Sequence, residues 1–194
     1  MSFFNSKRDK QEEQEEEINL GKEILNMIVY IAVIIALVYV ILHYVGQRTE
    51  VIGSSMNDTL SNEDNLWIDK LSYRFTDPKR FDIIVFPFED TDTYYIKRII
   101  GLPGETVYID PDGNIYIDDK LLEEDYGKET INVGMIGLAS SPLTLGEEEY
   151  FVMGDNRNNS QDSRRAEVGN IKFDDIEGKA VFRMWPLKRI GFVD

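Results

Sequence analysis

The 194-residue chain has no cysteine and a single histidine. The first absence excludes disulfides, thiolate metal sites and a cysteine nucleophile. It is compatible with an oxidising exterior without requiring one. The one histidine, His43, lies near the end of an apolar run and cannot easily reach a serine elsewhere, so a Ser-His-Asp triad is disfavoured. No His/Cys ligand cluster is present and scattered carboxylates are a weak metal signal, so no metal or organic cofactor is expected. Basic excess is also missing. The chain carries 21 Lys and Arg against 36 Asp and Glu, a formal net charge of -15. That argues against a nucleic-acid partner, because phosphate binding needs a basic face. No internal repeat is visible.

One long apolar segment is present, Ile24–Val45, free of acidic and of Lys or Arg residues throughout. As a helix it is about 33 Å long, enough to cross a hydrocarbon core of about 30 Å. Tyr30 and Tyr44 suit interface depth. A cleaved leader would have a shorter apolar core and a small-residue cleavage site; Val45-Gly46-Gln47-Arg48-Thr49 offers none. Lys7, Arg8, Lys10 and Lys22 precede the run and only Arg48 follows it closely. That bias places the N-terminus in the cytoplasm and the bulk of the chain outside. Residues 1–23 read as a solvated acidic tail, partly disordered or frayed helical, 24–45 as a transmembrane helix, and 46–194 as the outer domain.

Beyond Gln47 the pattern changes to short runs rich in Ile, Val, Tyr and Phe, bounded by turn residues. Strands are expected at Leu66–Asp69, Asp82–Phe86, Thr93–Ile100, Thr106–Asp110, Asn114–Asp118, Tyr150–Met153 and Lys179–Trp185. Pro111-Asp112-Gly113-Asn114 reads as a hairpin turn, and Phe173–Glu177 as one short helical turn. The fold class is therefore mainly β, with several strands in a barrel-like or two-sheet core. From about 106 to 149 the sequence is more acidic, with Glu123-Glu124-Asp125, and poorer in strand signals. It reads as a lobe inserted between two halves of that core.

Without a usable histidine, lysine is the remaining base for a serine nucleophile. It acts only when neutral, and an ordinary lysine titrates near 10.4. Burial beside apolar groups lowers that value; two units correspond to about 3 kcal/mol. Lys97 sits in Tyr94-Tyr95-Ile96-Lys97-Arg98-Ile99-Ile100. Strand alternation puts it on the face of Tyr95 and Ile99. Read alone, a strand lysine is a solvated surface group, and Ser55 alone is a surface hydroxyl. The matches Asn57-Asp58-Thr59 and Asn158-Asn159-Ser160 to a glycosylation pattern are discounted, since so short a pattern recurs by chance.

Three stretches taken together go further: Gly53–Leu60, Tyr95–Glu105 and Gly154–Arg164, the last reading GDNRNNSQDSR. They resemble the boxes of bacterial type I signal peptidases, membrane-bound serine proteases that remove signal peptides from exported proteins. The ending Lys179–Leu187 resembles the last core strand of the family's Gram-positive members. The resemblance covers most of the chain after the apolar run. It implies a signal-peptidase-like β core with a small inserted lobe, preceded by one N-terminal transmembrane helix. It implies Ser55 as nucleophile and Lys97 as base in an acyl-enzyme mechanism. The Ser55 N–H would be an oxyanion donor; some relatives add a serine where this chain has Gly53. By the same resemblance Ser160 hydrogen-bonds the Lys97 amine, Asp162 and Arg164 form a supporting ion pair, and Asp155 and Asn156 hold the loop. Met56, Leu60, Tyr95 and Ile96 would line a shallow apolar cleft for small side chains before the cut. Strand Thr93–Lys97 would pair with an extended substrate.

The family has proline where this chain has Asp58, which can make a local turn hydrogen bond instead. The implied partners are preproteins with signal peptides and membrane lipid. Three other readings stay open: a peptidase dedicated to a narrow substrate set such as surface pilins, a non-catalytic assembly relative, and a self-cleaving Ser–Lys regulator. The last would carry an N-terminal DNA-binding region, where this chain has the apolar run.

Overall fold

A computed structural model describes residues 20–88 and 93–193. The expected tail over residues 1–19 lies outside the described residues. The chain divides into two compact units, one ending at Ile41 and one starting at Leu42.

The apolar run is helical, as α1 (Leu20–Val40), and closes in a wider turn over Ile41–Val45. Within the described residues the helix already includes Leu20–Glu23, ahead of Ile24. None of its residues is buried. From Leu20 to Val45 the segment has 26 residues and the length and composition to cross a membrane. A helix that exposes apolar side chains all round fits a membrane anchor.

The second unit is built from short strands: β1 (Gly46–Glu50), β2 (Asn65–Asp69), β3 (Ile83–Pro87), β4 (Tyr94–Gly101), β5 (Thr106–Ile109), β6 (Ile115–Ile117), β7 (Lys120–Leu121), β8 (Leu143–Thr144), β9 (Glu149–Met153), β10 (Ile171–Lys172), β11 (Gly178–Trp185) and β12 (Gly191–Phe192). One sheet runs β1-β2-β11-β3-β4-β9-β10, with β12 on β11; a second runs β7-β6-β5-β8. The mainly β expectation holds. Each expected strand forms, with every end within one residue of the expected one. Gly113 takes φ +86° in the β5–β6 turn, a conformation that favours glycine. Phe173–Asp175 is a single 3-10 turn. Sequence reading missed β1, whose Gly-Gln-Arg-Thr-Glu is polar and pairs as an edge with β2. It also missed β7, β8, β10 and β12, which at two residues each are too short to show alternation.

β3 explains why the first sheet is the centre of the unit. Its Ile83 and Val85 pack with Met56, Leu60, Leu66, Ile68, Ile96 and Ala180. Its Ile84 and Phe86 pack with Ile99, Tyr150 and Val152. A strand buried on both faces reads as a continuous apolar run, and Ile-Ile-Val-Phe does. The second sheet closes over a third cluster that joins its own Val107, Ile109, Ile115 and Ile117 to Ile100 of β4 and Phe151 and Met153 of β9. The 106–149 segment thus shares a core with the strands that flank it.

Gly178 opens β11 where the backbone of β2 crosses closely. A Cβ there would meet the Asp69 carbonyl oxygen at 2.5 Å and Ile68 Cγ2 at 2.9 Å. Backbone cannot yield as a side chain can. Gly178→Ala is therefore expected to destabilise the unit by about 1–3 kcal/mol, read as a lowered thermal midpoint of the detergent-solubilised chain.

Candidate active site

β4 positions the central residues. Alternation sends Lys97 and Arg98 to opposite faces of the strand. β3 covers one edge over Tyr94–Arg98, and β9 pairs with the other from Arg98 onward. Lys97 is only 4% exposed. Its Nζ lies 2.8 Å from Ser55 Oγ and donates to the Ile96 carbonyl at 3.0 Å. It also stands 4.8 Å from the centre of the Tyr95 ring. Residues 42 positions apart are thus within hydrogen-bond reach.

Burial is the main cause of the Lys97 titration. Desolvation pushes its amine down to about 8, against an upward pull from Asp162 and Asp155. Both carboxylates are already engaged. Arg98, fully buried, binds Asp155 with two bonds of 2.9 and 2.8 Å. Arg164 binds Asp162 the same way, at 2.8 Å twice. Burial would raise Asp162, but the Arg164 guanidinium and the Gly154 N–H outweigh it and hold its carboxyl below the usual range. Pairing each aspartate with a guanidinium leaves less net charge to stabilise an ammonium at Lys97.

The Gly154–Arg164 loop is tied to the serine through main chain. The Asn156 N–H donates to the Ser55 carbonyl at 3.0 Å, and Asn156 Nδ2 to the Ser54 carbonyl at 3.0 Å. The Ser54 hydroxyl accepts from Asn159 Nδ2 at 3.1 Å. The Ser160 hydroxyl is buried beside the Asp162 carboxylate, which it helps to hold in its charged form, and it does not make the expected bond to the Lys97 amine. The Ile96 carbonyl takes that amine instead. Gly53, at φ +100°, donates its N–H to Asn62 Oδ1 at 2.9 Å. Asp58 makes no local turn hydrogen bond among the described residues; its exposed carboxylate lies 3.6 Å from Lys128 Nζ.

A groove of about 800 Å³ opens on Ser55 and Lys97. Its walls are residues 49–56, residues 93–97 and the polar run Asn158–Gln161. Met56, Tyr95 and Ile96 line it. Leu60 does not. It is fully buried in the core with Ile68 and Ile83, because the chain turns inward after Met56, whose carbonyl accepts the Leu60 N–H. No cluster of His, Asp or Glu with metal-ligand geometry occurs among the described residues.

Against known proteins, the profile of the family described as "Signal peptidase, peptidase S26" matches residues 24–185. The chain belongs to this family. A probable signal peptidase I-2 of a Synechocystis strain is 36% identical over 77% of this chain and 68% of its own length. A signal peptidase I P of Bacillus subtilis subsp. natto is 35% identical over 86% and 92%. A signal peptidase I T of Bacillus subtilis strain 168 is 36% identical over 84% of each. The chain is a type I signal peptidase, a serine endopeptidase, and its apolar helix fits a membrane anchor.

Sequence reading placed Thr59 and Arg98 in the matched stretches but gave neither a role, yet Thr59 Oγ1 donates to Asp155 at 2.6 Å beside the Arg98 pair. A signal existed for Arg98, since an arginine between Lys97 and two isoleucines in a core strand needs a buried counter-charge. Gly154 was also passed over. A Cβ there would collide with the Ser55 carbonyl and the Ser160 hydroxyl. Gly154→Ala is expected to lower kcat by about 100-fold, since displacements near 1 Å cost that much. The cleavage rate of a preprotein with an A-x-A site checks it.

Proposed function

We propose that this signal peptidase cleaves preproteins with a Ser55–Lys97 dyad, anchored by α1 with its N-terminus in the cytoplasm. The observation that carries the dyad is the 2.8 Å approach of Lys97 Nζ to Ser55 Oγ at a lysine lowered to about 8. In its neutral form Lys97 has a lone pair to take the Ser55 proton. The Ser55 oxygen bonds to the scissile carbonyl carbon, and negative charge develops on the carbonyl oxygen. The Ser55 N–H is the donor for that charge. The Gly53 N–H is already held by Asn62. Collapse breaks the C–N bond, and the Lys97 ammonium gives its proton to the leaving amine. Lys97, neutral again, takes a proton from water as that water attacks the acyl-serine. The proton returns to Ser55 Oγ when the acyl bond breaks.

Substrate alignment draws on β4. Since β9 pairs only from Arg98 onward, residues 93–97 present their other edge to the groove, where an extended substrate can add as a strand. Met56 and Ile96 supply apolar contact for small side chains before the cut. Asp162–Arg164 and Arg98–Asp155 hold the loop and damp the pull on Lys97. Lipid surrounds α1. The Lys and Arg residues before the apolar run, against Arg48 after it, orient the chain. Ser55 lies ten positions past Val45, which suits a substrate whose own apolar segment is in the bilayer.

The deciding assay is cleavage of an A-x-A preprotein by the detergent-solubilised chain. Ser55→Ala is expected to abolish it, and Lys97→Arg likewise, because a guanidinium stays charged and cannot act as a base. Wild-type rates in either variant would exclude the dyad. The pH dependence comes from the same lysine. The active form is neutral, so about one molecule in ten is active at pH 7 for a group titrating near 8. kcat/KM should rise about tenfold per pH unit below that value and level off above it. A profile flat from pH 6 to 9 would exclude Lys97 as the base.

A further inference from the structure

The Glu123-Glu124-Asp125 run is not a uniformly solvated acidic patch. Along 122–127 exposure alternates: Leu122, Glu124 and Tyr126 are half-buried, while Glu123, Asp125 and Gly127 are exposed. A period of two puts the inward set on one face. That face meets the Gly154–Arg164 loop and the Arg98–Asp155 pair behind it.

Glu124 binds the Arg157 guanidinium with both carboxylate oxygens, Oε2 accepting from Nη2 at 2.8 Å. Arg157 is buried, with only 2% of its side chain exposed. Its Nε donates to the Gly154 carbonyl at 3.1 Å, and its own carbonyl accepts from Arg164 Nη2 at 2.6 Å. Gly154 is the residue whose backbone abuts Ser55 and Ser160. Two positions on, the Tyr126 ring stacks over Arg98, 3.7 Å from ring centre to Cζ. Two further, the Lys128 N–H donates to the Asp155 carbonyl at 2.9 Å. A single stretch thus touches both guanidinium–carboxylate pairs next to the dyad, the Asp162 pair by way of Arg157. None of its residues lines the groove.

We propose that Leu122–Lys128 is a positioning clamp on the Gly154–Arg164 loop, with Glu124 and Tyr126 the positioning residues that hold Ser55 and Lys97 in register. The inference rests on Ser55 and Lys97 being the reacting pair. Glu124 sets Arg157, and Arg157 sets the Gly154 backbone against the serine. Tyr126 covers Arg98 and excludes water from its pair with Asp155. Because the clamp stays off the groove, its loss acts on the chemical step rather than on substrate binding.

The test measures kcat and KM on the A-x-A preprotein, with the full chain in detergent at a temperature well below each variant's unfolding midpoint. E124Q and Y126L are expected to lose about tenfold in kcat with KM within twofold, as a displaced reacting pair would. E123Q and D125N, at the exposed neighbours, should retain wild-type kcat. The double variant E124Q/R157Q should lose no more than R157Q alone, since the two residues act as one unit. Wild-type kcat in E124Q and Y126L, with only the unfolding midpoint lowered, would overturn the clamp. So would losses that multiply in the double variant. Should E124Q fail to fold, Y126L decides by the same kcat reading. Ser55→Ala, run alongside, separates the two ideas: cleavage retained there rejects the dyad, whereas cleavage lost there with normal E124Q kcat rejects the clamp alone.

Discussion

Burial of one lysine without a carboxylate partner of its own is the constraint that organises the catalytic unit. A buried ammonium is costly, and the cost is relieved by losing a proton. Lys97 is placed where that happens, 2.8 Å from the Ser55 hydroxyl. A carboxylate left unpaired close by would undo the effect by stabilising the charged form. Asp155 and Asp162 are both near enough to pull Lys97 upward. Each is bound in two-point fashion by a buried arginine. The ion pairs beside the site therefore serve basicity as much as stability, in keeping with the modest net worth of buried pairs as stabilisers.

The loop that carries Asp155 and Asp162 is held against the serine by backbone contacts that tolerate no side chain at Gly154. Asn156 adds two hydrogen bonds to the carbonyls of Ser54 and Ser55. The second sheet, joined to β4 and β9 through a shared apolar cluster, brings Glu124 and Tyr126 to the back of the same loop. Strand, loop and lobe thus converge on the two side chains from different directions. A groove lined by Met56 and Ile96 on the open side leaves room for an extended chain.

Much of this was readable from residue order. Apolar length separated the helix that fits a membrane anchor from the rest, because a helix able to cross a bilayer is apolar over its whole span. β3 was legible because a strand buried on both faces is apolar at every position, as Ile83–Phe86 are, and β4 because tyrosines and isoleucines flank its Lys97-Arg98 pair. The polar density of Gly154–Arg164 and the lysine in an apolar strand marked the site. β1 was not legible, since a polar edge strand has no alternation to show, and Leu60 was misplaced because its position beside Met56 in sequence does not tell which way the turn faces. Ser160 was assigned to Lys97 by resemblance, whereas in this fold the Ile96 carbonyl takes that amine.

By itself, the sequence determined the class of chemistry. With no cysteine and its only histidine inside the apolar run, a cysteine nucleophile and a histidine base were set aside, and the three boxes that resemble the family pointed to a serine with a lysine. It also determined the membrane-length helix and the mainly β character of the residues after it, since both are local properties of composition and period. Only the tertiary structure decided that Lys97 is desolvated, that Arg98 and Arg164 occupy the aspartates around it, and that an acidic run in the lobe sends its middle glutamate inward to Arg157. Those outcomes depend on contacts between residues far apart in the chain, and a lysine's basicity is set by what surrounds it rather than by its neighbours in sequence.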